Sequence, residues 1–187
     1  MIDDKVLMVK LRSGSFIKDG LGNGREQFNI NEKAILDGKY YGVILNSGRW
    51  DDVSLEKIDN NADKETEKIE NILLIYFEKI EDMTYIVAIA KNTTVYRKMQ
   101  MCENIIESRL HDNKYTGKSV LEKVGYHTVT QVEDMHLLRK NYIPINIPKE
   151  CAYFFRAQRA LSKEEKYKDL REQIIRKALD YLDSLEL

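Results

Sequence analysis

The stretch "NILLIYFEKIEDMTYIVAIAKNTTVYR", residues 71–97, decides how this chain is read. Its two apolar runs, 71–80 and 84–90, are rich in β-branched and aromatic residues, and Glu81-Asp82-Met83 between them has the character of a short hairpin loop. Neither run alternates apolar with polar residues as a strand with one solvated face does. The hairpin is therefore expected at the centre of a sheet covered on both faces. The second run ends in Lys91-Asn92-Thr93-Thr94, then Val95, Tyr96, Arg97 and Lys98. That polar tail has two readings. It closes the strand, with 93–97 continuing as the next strand after a kink at Asn92, or it presents an amide, hydroxyls, a phenol and cations to a ligand.

Working outward, "KVLMVKL" (5–11), "KYYGVIL" (39–45), "YHTVTQV" (126–132) and "MHLLRK" (135–140) also read as strands. "SGSFIKDGLGNGREQ" (13–27) is a turn-rich loop. Its "GLGNG" lacks the strand–turn–helix context and fixed spacing of a phosphate cradle. Residues 54–71 are highly charged and read as a loop with a partial helix, and 98–110 carry apolar residues at helical spacing. Near the end, Ser162-Lys163-Glu164-Glu165 has the spacing of a capping box. After it, Tyr167, Leu170, Ile174, Ala178, Tyr181, Leu182 and Leu185 fall on one helical face. The expected fold is mainly β (α+β): residues 1–150 form a small curved β-sheet or open barrel with short helices, and 151–187 a C-terminal amphipathic helix. That helix either packs across the sheet or provides a seam for a homodimer or another partner.

Thirty basic and thirty-one acidic residues give a net charge of −1, so nucleic-acid or membrane binding would need a local basic patch. The acidic start "MIDDKVLMVKLRSG" is unlike a signal peptide, and no run approaches the roughly 20 apolar residues of a membrane span. A cytoplasmic protein without membrane contact is expected, with Cys102 and Cys151 as reduced, buried thiols. His111, His127 and His136 lie in no nucleophile or zinc context, and His127 and His136 read as polar residues on strand surfaces. Glu164-Glu165-Lys166 has the spacing of a magnesium-nuclease tripeptide but opens the terminal helix and not a strand. No catalytic constellation, metal site or cofactor is expected.

Binding chemistry concentrates in the tail of the opening stretch. Asn92 offers paired hydrogen bonds to a base edge, Tyr96 a stacking face, and Lys91, Arg97 and Lys98 phosphate contacts. Tyr40-Tyr41 and Trp50, which stands beside Arg49 in "NSGRWDD", are aromatic groups able to complete such a pocket. Trp50 reads equally as a ring folded over a sheet edge.

The order "GKYYG" (38–42), "AKNTTVYR" (90–97), "VEDMHLL" (132–138) and "IPINIP" (143–148) resembles the N-terminal domain of some bacterial HNH-nuclease proteins of restriction type. That domain is similar to the PUA-like superfamily, which includes the EVE, YTH and SRA folds. The resemblance spans roughly residues 28–150, and its specific part is the Lys-Asn-x-Thr-Val-Tyr-Arg core. It implies a curved β-barrel that reads a modified or flipped base, DNA more than RNA, within a bacterial defence system. Lys91, Asn92, Thr94, Tyr96 and Arg97 would occupy the motif, with Tyr41 on the neighbouring strand. The chain departs from the pattern in carrying Ala88-Ile89-Ala90 where the family has Gly-Trp-Tyr, and no nuclease follows, so cleavage would fall to a partner. The alternative is an assembly subunit that uses its terminal helix and binds no nucleic acid.

Overall fold

The computed structural model describes residues 5–11, 30, 35–44, 52–101, 125–139, 141–148, 151 and 167–186. The chain is mainly β. Eight strands form one open mixed sheet: β1 (Val6–Lys10), β2 (Ile35–Leu36), β3 (Lys39–Gly42), β4 (Lys68–Ile80), β5 (Met83–Gln100), β6 (Tyr126–Gln131), β7 (Met135–Leu137) and β8 (Ile143–Ile145). One helix, α1 (Lys168–Leu185), and 3-10 turns at Leu55–Lys57 and Val132–Asp134 complete the described elements. The strand order is β1-β4-β5-β6-β3-β2, with β7 and β8 also paired to β5. β1 runs parallel to β4 and every other pairing is antiparallel.

The hairpin expected at the centre is there. β4 and β5 meet at Ile80↔Met83 across a two-residue turn, with Glu81 at φ 53°. β5 has β4 along one edge. Its other edge is filled in succession by β8 (Thr84↔Ile145), β7 (Ala88↔Leu137) and β6 (Thr94↔Val129). β6, β7 and β8 thus act as one antiparallel partner in three pieces. The expected strands 84–90 and 93–97 are a single strand of 18 residues. Its kink at Asn92 is a bulge inside that strand, because ladder pairing resumes at Ile72↔Thr93. The helix expected over 98–110 is corrected at its start, since β5 runs through Gln100; residues 102–110 lie outside the described residues.

Continuous apolar strands bury both faces. On one side Leu74, Tyr76, Val87, Ala88, Ala90 and Val95 pack with Tyr40, Ile44, Leu55 and Ile58. On the other, Val6, Met8, Ile75, Phe77, Ile86 and Ile89 pack with Leu170, Ile174, Ile175, Ala178 and Leu182 of α1. The helix therefore lies on the sheet with its apolar face turned inward, and Lys177 Nζ donates to the Pro144 carbonyl 2.9 Å away. Leu185, expected on the buried face, is 50% exposed, and Ile175 takes a place the pattern omitted. The capping-box residues 162–165 lie outside the described residues; α1 begins at Lys168. Cys151 is a buried, reduced cysteine, as expected, and Cys102 lies outside the described residues. No helix among the described residues is long and apolar enough to cross a membrane.

Candidate nucleic-acid interface

Strand alternation sorts the tyrosine pair of β3. Tyr40 turns into the core, while Tyr41 is half-buried on the opposite face. Tyr41 is the register partner of Val129, and Val129 of Thr94, so these three side chains stand side by side across β3, β6 and β5. Tyr96, two residues beyond Thr94, pairs in register with Lys68 of β4. Tyr126, at the start of β6, joins the group. Its ring lies 4.9 Å from Tyr41 at 73° and 5.9 Å from Tyr96 at 85°, both edge-to-face contacts. All three rings are half-buried.

The sequence reading missed Tyr126. Its signal was a tyrosine directly after a glycine at the head of a strand-like run. A Cβ on Gly125 would collide with the Gln100 carbonyl oxygen, so only glycine lets the start of β6 approach the end of β5 this closely. Lys39 and Lys68 were also missed. Lys39 is half-buried two residues before Tyr41, and Lys68 is exposed beside Tyr96. The Lys68 ammonium sits 2.7 Å from Glu70 Oε1, and that hydrogen bond holds its pKa above the usual lysine value.

The motif cations fare differently from one another. Arg97 is only 13% exposed. Its Nε donates to the Thr66 carbonyl at 2.8 Å, one terminal nitrogen reaches Glu56 Oε2 at 3.1 Å, and the other donates to the Asp63 carbonyl. Its backbone joins in: Arg97 N–H donates to the Glu67 carbonyl at 2.8 Å, and the Arg97 carbonyl accepts from Val53 N–H at 2.8 Å. Arg97 is therefore the clasp that holds segment 53–67 to the end of β5. Lys91 pairs with Glu186 Oε1 at 3.4 Å, tying β5 to the end of α1. Lys98 is exposed.

Asn92 occupies the left-handed region at φ 51°, which asparagine tolerates better than most residues. Its Nδ2 donates to Asp134 Oδ1 at 3.1 Å, closing the gap that the second 3-10 turn leaves between β6 and β7. Thr93 is buried, its hydroxyl 2.7 Å from that of Thr130. Thr94 and Tyr96 face outward with Tyr41, whereas Asn92 is exposed and bonded to Asp134. Trp50 and Arg49 lie outside the described residues.

The histidines correct the sequence reading. His127 is 0% exposed and not a surface residue. Its Nδ1 accepts from Ile44 N–H at 3.3 Å, which places the proton on Nε2, a buried atom with no hydrogen-bond partner among the described residues. Burial pushes the His127 pKa down to about 4, against a smaller opposing pull from Asp52. His136 is half-buried and also shifted down, first by burial and then by Lys91. No group of three or more potential metal ligands occurs among the described residues. Comparison of the chain with family models, with curated proteins and with solved structures found no match.

Proposed function

We propose that this protein is a non-catalytic nucleic-acid-binding module that stacks an unpaired base on the surface formed by Tyr41, Tyr96 and Tyr126. The observation that carries the reading is the trio of half-buried rings on an outward sheet face, with Tyr126 in edge contact with both Tyr41 and Tyr96. Lys39 and Lys98 lie on the strands of Tyr41 and Tyr96, and Lys68 is in register with Tyr96. Aromatic rings on a sheet accept the face of any base, and neighbouring ammonium groups offset the phosphate charge. The Lys-Asn-x-Thr-Val-Tyr-Arg resemblance adds the finer proposal, a modified base in DNA read within a restriction-type defence system. In this reading Tyr96, Thr94, Tyr41 and Lys98 are the contacts, while Arg97, held by Thr66, Asp63 and Glu56, and Asn92, bonded to Asp134, support the strand that carries them.

The assembly alternative has less support. The apolar face of α1 that would form a seam is already packed on Val6, Met8, Ile75 and Phe77.

The test is fluorescence anisotropy with a panel of plain and modified oligonucleotides at moderate salt. Binding in the micromolar range is expected, with Tyr126→Ala weakening it by about 1–3 kcal/mol for each base lost from the stack. A panel in which no oligonucleotide binds refutes the proposal.

A further inference from the structure

We propose that the junction between the end of α1 and the sheet is an acid-sensitive latch, in which His136 is neutral while the latch is closed and takes up a proton as it opens. The proposal is independent of what the tyrosine surface binds. It starts from the register of β5 and β7. His136 stands opposite Ile89, and Ile89 packs in the core cluster beneath α1, so the imidazole lies on the helix side of the sheet. Lys91, two residues beyond Ile89, points to the same side, where its ammonium meets Glu186 Oε1 at 3.4 Å. α1 carries no basic residue in its last turn, so Lys91 brings to that end the positive charge that terminal helix carbonyls favour. On the other flank, Asn92 Nδ2 donates to Asp134 Oδ1 at 3.1 Å. Two polar links, Lys91–Glu186 and Asn92–Asp134, thus leave β5 from adjacent residues at its bulge and flank His136.

The imidazole is built into this junction in its uncharged form. Its Nε2 is buried and has no hydrogen-bond partner among the described residues. Protonation puts an N–H on both ring nitrogens, so a charged donor would be left there without an acceptor. Lys91 of β5 repels an imidazolium at this position, and Asp134 of the turn before β7 attracts one. Glu186 of α1 enters through Lys91, and Asp134 is already engaged by Asn92. Burial, and then Lys91, outweigh Asp134 and hold the His136 pKa below its usual 6.5. When the junction opens, the ring reaches water and its ordinary titration returns. Below pH 6.5 the open form therefore binds a proton that the closed form does not. Each unit of fall in pH then favours opening by up to about tenfold, until the closed form titrates as well.

The experiment is NMR on the full chain, which reads the ring and the junction separately. The His136 ring of wild type is expected to titrate below 6.5, to move up in Lys91→Gln and to move further down in Asp134→Asn. Protection against amide exchange is compared at pH 7.5 and 5.5, corrected for the intrinsic exchange rate. The Leu138 N–H, which donates to the Val87 carbonyl, and the amides of the last turn of α1 should lose about three- to tenfold more protection in wild type than in His136→Asn. The Leu11 N–H, which donates to the Phe77 carbonyl, should show no such difference between the two proteins. Should His136→Asn fail to fold, the ring titrations of wild type and Lys91→Gln still decide the matter. A ring that titrates at 6.5 or above, or that Lys91→Gln leaves unmoved, overturns the proposal, as does equal loss of protection in wild type and His136→Asn. None of these results touches the nucleic-acid reading, which stands or falls on oligonucleotide binding.

Discussion

His127 gives the chain a defined sensitivity to mild acid. In the unfolded chain its imidazole titrates near its usual 6.5, whereas in the fold its pKa is pushed down to about 4. Between those values the unfolded chain binds a proton that the folded chain does not. Stability is therefore full above pH 6.5, falls as pH drops from 6.5 to 4, and stops falling once the folded form also titrates. One pKa unit corresponds to about 1.4 kcal/mol, so between pH 7 and 4.5 the loss from this residue is about 2 to 2.5 kcal/mol. Against the 5–15 kcal/mol of a typical domain that is a large fraction. The structural cause is specific. Protonation of Nδ1 would set an N–H against the Ile44 N–H that it now accepts, inside a site with no exposure to water.

The assay is urea unfolding of wild type and His127→Gln at pH 7.0, 5.5 and 4.5, each alongside His136→Asn. Glutamine keeps an acceptor and cannot titrate. The stability gap between wild type and His127→Gln should shift by about 2 kcal/mol or more in favour of the variant on going to pH 4.5. His136 is lowered too, so its variant separates the two contributions. The carboxylates whose pKa values the fold depresses, Glu56, Asp59, Asp63 and Glu70, lose their contribution as pH falls to and below their unfolded values of 4.5 and 3.8, and they do so equally in wild type and variant. A gap between wild type and His127→Gln that stays constant from pH 7.0 to 4.5 would refute the reasoning.

Two further outcomes follow from the scaffold beneath the ring surface. Arg97→Ala should cost about 2 kcal/mol in urea unfolding, with Arg97→Lys recovering little of it, because a single nitrogen cannot reach acceptors arranged around three separate guanidinium nitrogens. If the alanine variant instead keeps full stability and loses oligonucleotide binding, Arg97 belongs to the interface and not to the clasp. Asn92→Gly should stay within about 0.5 kcal/mol of wild type, while Asn92→Val should lose about 1–3 kcal/mol, since a β-branched residue is strained at φ 51°. Equal stability of the two variants would mean the bulge relaxes at no cost.

What the sequence made legible was the part governed by local pattern. The β4–β5 hairpin announced itself through unbroken apolar runs, and α1 through its apolar spacing. Asn92 read as a break because its neighbours are polar. It is a bulge, since β4 supplies a compensating irregularity at Asn71, also left-handed at φ 59°, and no reading of 86–100 alone contains β4. Pro144 hid β8, yet Pro144 needs no N–H partner in a short strand paired on β5. The Asp37-Gly38 turn joining β2 to β3, both residues at positive φ, was readable as a type I′ signal and went unused. At the candidate site the residue types were visible and their partners were not. Arg97 is held by groups 31 to 41 residues earlier in the chain. His127 is buried against Ile44, 83 residues away. Charge and aromaticity can be read from letters, but whether a cation is already committed depends on distant contacts.

The bulges also explain why there is an outward ring surface at all. In a strictly alternating strand, even-numbered residues after Ala88 and Ala90 would stay on the core side, and Thr94 and Tyr96 would point inward. The extra residue at Asn92 reverses the alternation. Val95 joins Ala90 in the core, five positions on, and Thr94 and Tyr96 turn out beside Tyr41. β4 makes the matching change, with Ile69 and Ile72, three apart, in the same core cluster. Without it, the two central strands would disagree on which side to bury. The paired asparagines thus keep one core continuous while switching the exposed face of β5 from the apolar stretch under α1 to a polar, tyrosine-bearing stretch beyond it. A single long strand then serves as core at one end and carries the outward tyrosine surface at the other, and the switch between them sits at Asn92.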